Sequence, residues 1–392
     1  MKKLVFVILT LATLLSACGP STTTLSPADL AAPPDDAHVA TSCLPVYASM
    51  PSIVQPHGTL VVDDYHATGH LFLANLTTGK QAALWTANET IAEPGVSPDR
   101  KALAFKSGDP KTNVWSVVIA DAQGNRVKST PWPQGYFILG NWINNQQLLL
   151  STNPPLTIFN PYDNSRQGYQ FSDLPNFSED PTANRVALFN PAVDRVVYKD
   201  NGGKVTLLDL AAKKALGTVP NQTAPFPIAA WSPDGKQVAV VGKTLLGAKP
   251  SDQGDDIFGI SRDGQVTQLT HLTDHYGRLL TVNPAGLSWS PDSRFFAFWL
   301  IYPNYGANWQ LAVHDTVTQK TTAYCILNRD GSQLGYVHPL PVPIWSPDSS
   351  QIMVENRYDT SSNHILIVDL AQKLAFPVFD NMYPAGWLAS NP

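Results

Sequence analysis

The residues with the most chemical potential fall in a series of loops in the second half of the chain. Asp274-His275-Tyr276-Gly277-Arg278 sets a carboxylate, an imidazole, a phenol and a guanidinium side by side. Tyr302, Tyr305 and Trp309 follow in a stretch rich in Asn and Gly, then Tyr336 and His338, then Arg357 and Tyr358. Asp252, Asp255 and Asp256 come just before them. Aromatic rings interspersed with carboxylates and imidazoles suit recognition of sugars, peptides or a protein partner. Each of these residues taken singly reads better as part of a solvated loop whose rings pack locally; it is the sector as a whole that suggests binding.

Nucleophilic and metal chemistry have less to work with. There is no G-x-S-x-G elbow and no C-x-x-C pair. His66 and His70 follow Asp63-Asp64 and could reach one metal, but the pattern reads better as the flanks of a hairpin loop. No metal and no cofactor is expected. A net charge of −5 without a basic stripe gives no reason to expect nucleic acid.

The elements that must hold these loops are strands. Charged residues make up only 15% of the 392, while Pro (33) and Gly (25) are frequent, which suits short strands joined by turns. Trp231-Ser232-Pro233-Asp234-Gly235-Lys236 reads as the end of one strand, a tight turn and the approach to the next, Gln237 to Val241. Pro233 presets φ for the first corner, Asp234 suits the second and Gly235 the exit.

This unit recurs at Val96 to Asp99, Trp289 to Asp292 and Trp345 to Asp348, and by position at Trp142, Phe189 and Trp387. A second unit, a β run ending in Asp, Asn or Ser before a polar turn, alternates with it at Asn75, Asp121, Asn160, Asp209, Ser261, Asp315 and Asp369. Seven copies of each over about 336 residues give about 48 per repeat, the length of a four-stranded propeller blade. The aromatic residues Trp142, Trp231, Trp289, Trp345 and Trp387 are expected to pack between blades. The turn acids Asp99, Asp234, Asp292 and Asp348 are expected to brace their own turns.

The Trp-Ser-Pro-Asp-Gly-Lys unit with its later Asp-ending strand resembles the WD40-like (PD40) repeat of the TolB-type β-propellers, over residues 57–392. The resemblance implies an all-β, seven-bladed propeller. The N-terminal α/β domain of TolB itself is not expected here. The repeats start with the second unit and stop at Trp387-Leu388, so the two chain ends should share one blade and close the ring. The short turns would lie on one face. The chemically rich loops of blades four to six would crowd the other.

Lys2-Lys3 and the apolar stretch Leu4 to Ala17 read as a secretory signal, too short to span a bilayer. Its end, Leu15-Ser16-Ala17-Cys18, resembles the bacterial lipobox, which implies cleavage at residue 17 and a lipidated Cys18. Residues 18–56 then read as a Ser/Thr/Pro-rich tether. The remaining cysteines, Cys43 and Cys325, are expected to pair in an oxidising compartment.

The function expected is that of a monomeric, extracytoplasmic lipoprotein on a bacterial membrane: the outer membrane, or the outer leaflet of the cell membrane. It would bind or scaffold an envelope protein, peptide or glycan without catalysis. The alternative is a carbohydrate-active lyase or glycoside hydrolase with its site at the channel mouth.

Overall fold

The computed structural model describes residues 34–54, 58–64, 70–84, 89–109, 111–133, 138–151, 156–170, 173–175, 187–200, 203–220, 229–245, 253–276, 283–301, 308–329, 342–356 and 364–389. Their strands form seven sheets, each built around four antiparallel strands, arranged as the blades of a seven-bladed β-propeller. In chain order the first strands are β1 (Val39–Ser42), β2 (Thr59–Asp63), β3 (Leu71–Asn75) and β4 (Gln81–Ala83). Blade one is β5 (Thr90–Val96), β6 (Ala102–Asp109), β7 (Val114–Asp121) and β8 (Arg126–Pro131). Blade two is β9 (Ile138–Trp142), β10 (Leu148–Ser151), β11 (Leu156–Phe159) and β12 (Arg166–Tyr169). Blade three is β13 (Ala187–Phe189), β14 (Arg195–Lys199), β15 (Lys204–Asp209) and β16 (Lys214–Pro220).

Blade four is β17 (Ala229–Trp231), β18 (Gln237–Leu245), β19 (Gln253–Ser261) and β20 (Val266–Gln268), followed by the short helix α1 (Leu272–Tyr276). Blade five is β21 (Asn283–Trp289), β22 (Phe295–Ile301), β23 (Asn308–Asp315) and β24 (Lys320–Arg329). Blade six is β25 (Ile344–Trp345), β26 (Gln351–Asn356), β27 (His364–Asp369) and β28 (Leu374–Asp380). Blade seven joins the last strand, β29 (Tyr383–Leu388), to β2, β3 and β4. Trp387 lies opposite Leu60 and Gly386 opposite Val61, as the phase of the repeats requires. The junction is tight: a Cβ on Gly58, whose φ is +90°, would sit 2.3 Å from the Leu388 carbonyl oxygen.

The core is a chain of apolar clusters, each shared by neighbouring blades. Leu148 and Phe159 of blade two pack with Ile119 of blade one. Ile158 of blade two packs with Phe189 and Val196 of blade three, and Val205, Val240 and Phe296 join blades three, four and five. Trp299 and Trp345 lie in a cluster joining five to six, Phe376 and Trp387 in one joining six to seven, and Leu73 and Phe105 in one joining seven to one. No blade can bury its two faces alone, so ring closure completes the core.

The repeat aromatics do more than fill space. The indole N–H of Trp231 donates to the Leu188 carbonyl (3.0 Å), Trp289 to Ala230 (2.9 Å) and Trp345 to Ser288 (3.1 Å). Trp142 donates to Gly95 (2.8 Å). Each bond runs from one blade to the innermost strand of the blade before it. A ring that would be costly to bury with its N–H unpaired is thereby satisfied by a carbonyl of its neighbour.

The Ser-Pro-Asp turns are braced as expected. The serine hydroxyl donates to the aspartate carboxylate at 2.5 to 2.7 Å in all four, Ser97–Asp99, Ser232–Asp234, Ser290–Asp292 and Ser346–Asp348. The residue after the aspartate is left-handed: Arg100 (φ 61°), Gly235 (67°), Ser293 (61°) and Ser349 (64°). Adjacent turns are also linked. The Asp99 N–H donates to Asn145 Oδ1 (3.0 Å), Asp234 to Ser293 Oγ and Asp292 to Ser349 Oγ (both 3.2 Å).

The tether expected over residues 18–56 has a structured second half. β1 pairs in parallel with β24 as a fifth strand on the outer edge of blade five, Val39 opposite Thr321 and Ser42 opposite Tyr324. Cys43 and Cys325 follow, joined by a disulfide with Cα atoms 4.6 Å apart. Val46 then bridges Ala375 on the outer edge of blade six, with Tyr47 N–H donating to the Ala375 carbonyl (2.8 Å). Val54, 5% exposed, packs into the cluster joining blades six and seven. The segment is a strap over the rim of three blades. Its order comes from unpaired edges that need covering rather than from its own composition.

Candidate functional site

The described part of the candidate sector lies at the ends of β18 and β19 and in the connection from blade four to blade five. The ladder of β18 and β19 continues well outward, Gly242 opposite Asp256 and Leu245 opposite Gln253. Asp255 and Asp256 are therefore strand residues, 6% and 0% exposed. Asp256 caps the start of α1: it accepts from Thr270 Oγ1 (2.9 Å), the Leu272 N–H (2.6 Å) and the Thr273 N–H (3.4 Å). Burial raises its pKa, and these donors only partly offset that. Burial is also the largest influence on Asp255; Lys243 opposes it, Asp256 adds to it, and the carboxyl is pushed up to about 7.

α1 presents two different sides. Asp274 is exposed and meets the His271 ring nitrogen at 3.3 Å. Tyr276 is buried in the cluster of blades three to five, with the His275 ring edge-on at 4.8 Å. The His275 side chain is 2% exposed, and its Nδ1 lies 2.5 Å from Asp36 in the strap. Asp36 also accepts from the N–H groups of His38 (2.6 Å) and Val39 (2.7 Å). Partial burial works against its charge, but His275 and those backbone donors outweigh it and hold the carboxyl at about 2.

The His38 ring lies over His271, centroids 4.2 Å apart, and the His38 carbonyl accepts from the Thr321 N–H (2.7 Å). Beneath them His314 is fully buried, its Nδ1 3.0 Å from Thr321 Oγ1. Burial pushes its pKa down to about 4, with Asp315 opposing and His271 adding to the fall.

Of the residues nominated from sequence, the structure brings Asp274, His275 and Tyr276 together, yet only Asp274 faces water freely. Tyr276 and Trp309 are core residues rather than loop-surface ones. Trp309, 7% exposed, packs beside Trp299 at 6.5 Å because β23 starts at Asn308 and its register turns the ring inward. Arg278, Tyr302, Tyr305, Tyr336, His338, Arg357, Tyr358 and the lipobox Cys18 lie outside the described residues, as do Asp252 and His66. His70 bonds Asp64 at 2.9 Å.

Sequence reasoning passed over Asp36, His38, His271 and His314. The available signal was weak: Asp35-Asp36 supplies the only Asp, Glu, Lys or Arg between residues 30 and 56, and His271 and His275 share a helical spacing. The sector nominated for peptide binding thus already holds a peptide, the chain's own residues 35–42. Among the described residues no group of three or more His, Cys, Asp or Glu is placed to hold a metal. A shallow recess of about 220 Å³ on blade two is lined by Gln147, Ile158, Asn160, Ser165, Arg166 and Gln167.

Seven blades of four antiparallel strands and closure by both chain ends make this a seven-bladed β-propeller. Neither a protein family nor a curated protein sequence matches the chain. Among solved structures it is similar to TolB from Acinetobacter baumannii, at 15% identity and a TM-score of 0.42, over 86% of this chain and 69% of that one. It is also similar to the β-propeller domain of Myceliophteria thermophila Cps50 (Swd1), at 12% identity and a TM-score of 0.48, over 82% and 99%. At such identities the likeness is one of fold alone.

Proposed function

We propose that this chain is an extracytoplasmic bacterial lipoprotein, held to the membrane through acylated Cys18. Its propeller acts as a non-catalytic module that binds or scaffolds an envelope protein, peptide or glycan. The observation that carries the compartment is the Cys43–Cys325 disulfide, a bond that persists outside the reducing cytoplasm. The lipobox-like Leu15-Ser16-Ala17-Cys18 supports the anchor. The binding role is supported by the closed ring of blades, a rigid scaffold of the kind on which binding loops are carried, while many of its described acids are committed to turns and caps.

Fractionation of an expressing bacterium, with mass analysis of the N-terminal peptide, tests the anchor: acyl chains on Cys18 and recovery with membranes are expected. Cross-linking from solubilised envelopes tests the binding role. Loss of capture on charge reversal at Asp274 is expected, and capture of nothing beyond background would sink it. A second reading, a carbohydrate-active enzyme, draws on Asp255, a buried acid protonated up to near-neutral pH. Turnover of a glycan panel that disappears in Asp255→Asn would favour it.

A further inference from the structure

The strap carries an apolar surface with no counterpart elsewhere among the described residues. Of their nine exposed large apolar side chains, four fall within one eight-residue stretch: Val46 (59% exposed), Tyr47 (46%), Met50 (42%) and Ile53 (60%). The other five, Val114, Val127, Tyr162, Val266 and Val317, are dispersed over blades one, two, four and five. Single exposed apolar residues are ordinary, whereas a concentration of them marks a surface that meets something.

The display is fixed rather than loose. Upstream the stretch is stapled by Cys43–Cys325, and in the middle its backbone bonds Ala375 on both sides, through the Tyr47 N–H (2.8 Å) and the Pro45 carbonyl (2.9 Å). Downstream Val54 is sunk between blades six and seven. At Pro45 and Tyr47 the backbone is thus turned to the blade edge, and the side chains of Val46, Tyr47, Met50 and Ile53 are left exposed.

We propose that this outward side of the strap lies against the lipid bilayer, with Tyr47, Met50 and Ile53 entering its interfacial region. The inference rests on the lipid-anchored reading of Cys18. Two features favour a lipid surface over a protein. First, residues 39–56 contain no Asp, Glu, Lys or Arg in a chain that is 15% charged, so no charge has to be stripped of water on contact. A protein interface of this size would ordinarily carry a charged, polar rim; headgroup contact requires apolar side chains and a ring with a polar tip, which Tyr47 supplies. Second, sixteen residues lie between Cys18 and the docked Asp35. Whatever its conformation, a chain of that length reaches at most about 60 Å. An acylated Cys18 therefore keeps the strap next to the membrane at high effective concentration, and even weak insertion is populated.

The test uses the full lipidated protein in phosphatidylcholine vesicles, with a nitroxide on Ile53→Cys and, separately, on Val317→Cys as a control. Accessibility to oxygen and to a water-soluble nickel chelate is compared with that of the same protein in detergent-free buffer after enzymatic removal of its N-terminal acyl peptide. A several-fold shift toward oxygen at residue 53, and none at residue 317, is expected. A label at 53 that stays in water, on protein whose Cys18 is shown by mass to be acylated and which floats with the vesicles, overturns the strap contact and leaves the anchor standing. Spin–spin broadening between copies at 53 also overturns it, in favour of self-association. A non-acylated chain that does not float overturns the anchor and the strap contact together.

Discussion

In blade five the inner turn is braced by two side chains, Ser290 and Asp292; in blade three Asn190 does both jobs, its Oδ1 accepting from the Asp194 and Arg195 N–H groups (3.0 and 2.9 Å) and its Nδ2 donating to Asp194 (2.7 Å). In blade two Asn144 takes the same part with the Gln146 and Gln147 N–H groups. Blades four, five and six each latch to their predecessor through a tryptophan, whereas Phe189 of blade three has no N–H to give. There the link moves to the turns: Asn144 Nδ2 donates to the Pro191 carbonyl (2.9 Å). What the ring retains is a bond between each of these neighbours, and in blades three to six a left-handed fourth turn residue, Val193, Gly235, Ser293 and Ser349. The side chains that provide them differ. Blades five and six also carry the strap and its disulfide, which the described parts of blades two and three lack.

The largest expected effect lies on the strap side. Removing the bridge with Cys43→Ser opens a loop of 282 residues, worth about 5 kcal/mol at the chain-entropy limit. Denaturant unfolding of the variant should show it, and an unchanged midpoint would mean that the strap edge adds nothing to blade five. Next, Trp289→Ala, a residue 5% exposed, should cost about 3–5 kcal/mol, and the half-buried Trp142→Ala clearly less. Equal losses would erase the distinction between the two halves of the ring.

A third test uses pH. The Asp255 pKa is raised in the fold, so its contribution is fully present below about 4 and declines as pH rises towards and through about 7. Asp255→Asn should therefore gain on the parent protein above pH 7, at about 1.4 kcal/mol per unit of the lost shift. A melting series from pH 5 to 9 checks the sign. His314 acts in the opposite direction. Its pKa is lowered to about 4, so stability falls as pH drops below about 6.5, and His314→Gln should flatten that limb. The smallest effect concerns the degenerate turn. Val193 holds φ at 58°, a conformation unfavourable for a β-branched residue, and Val193→Gly should gain up to about 1 kcal/mol, less whatever packing is lost.

Much of this was legible because the repeat carries its own geometry. That the strand of Trp387 completes the blade begun by residues 58–62 was readable from the phase of the two alternating units, since a four-stranded blade left one strand short can only be finished by the other chain end; the register, Trp387 opposite Leu60, was not. The turn acids were legible because Ser, Pro and Asp at that spacing have one good arrangement. The strap was not. Val39–Ser42 is four residues long and has no alternation to reveal it; its order comes from the edge of β24, 282 residues away at the cysteines. The site was misjudged for a related reason. Tyr276 and Trp309 sit in connecting sequence, but an inward register is set by neighbours, and a ladder such as Lys243–Asp255 continues by backbone pairing that no side-chain pattern announces.

The covalent staple has a mechanical consequence. If the molecule is held by its N-terminus and its body is dragged, tension reaches the parallel ladder of β1 and then the sulfur bridge, so it is delivered to β24, the outermost of blade five's own four strands. The clasp between β29 and β2, the part of the ring most easily peeled, lies downstream of that point and carries no load.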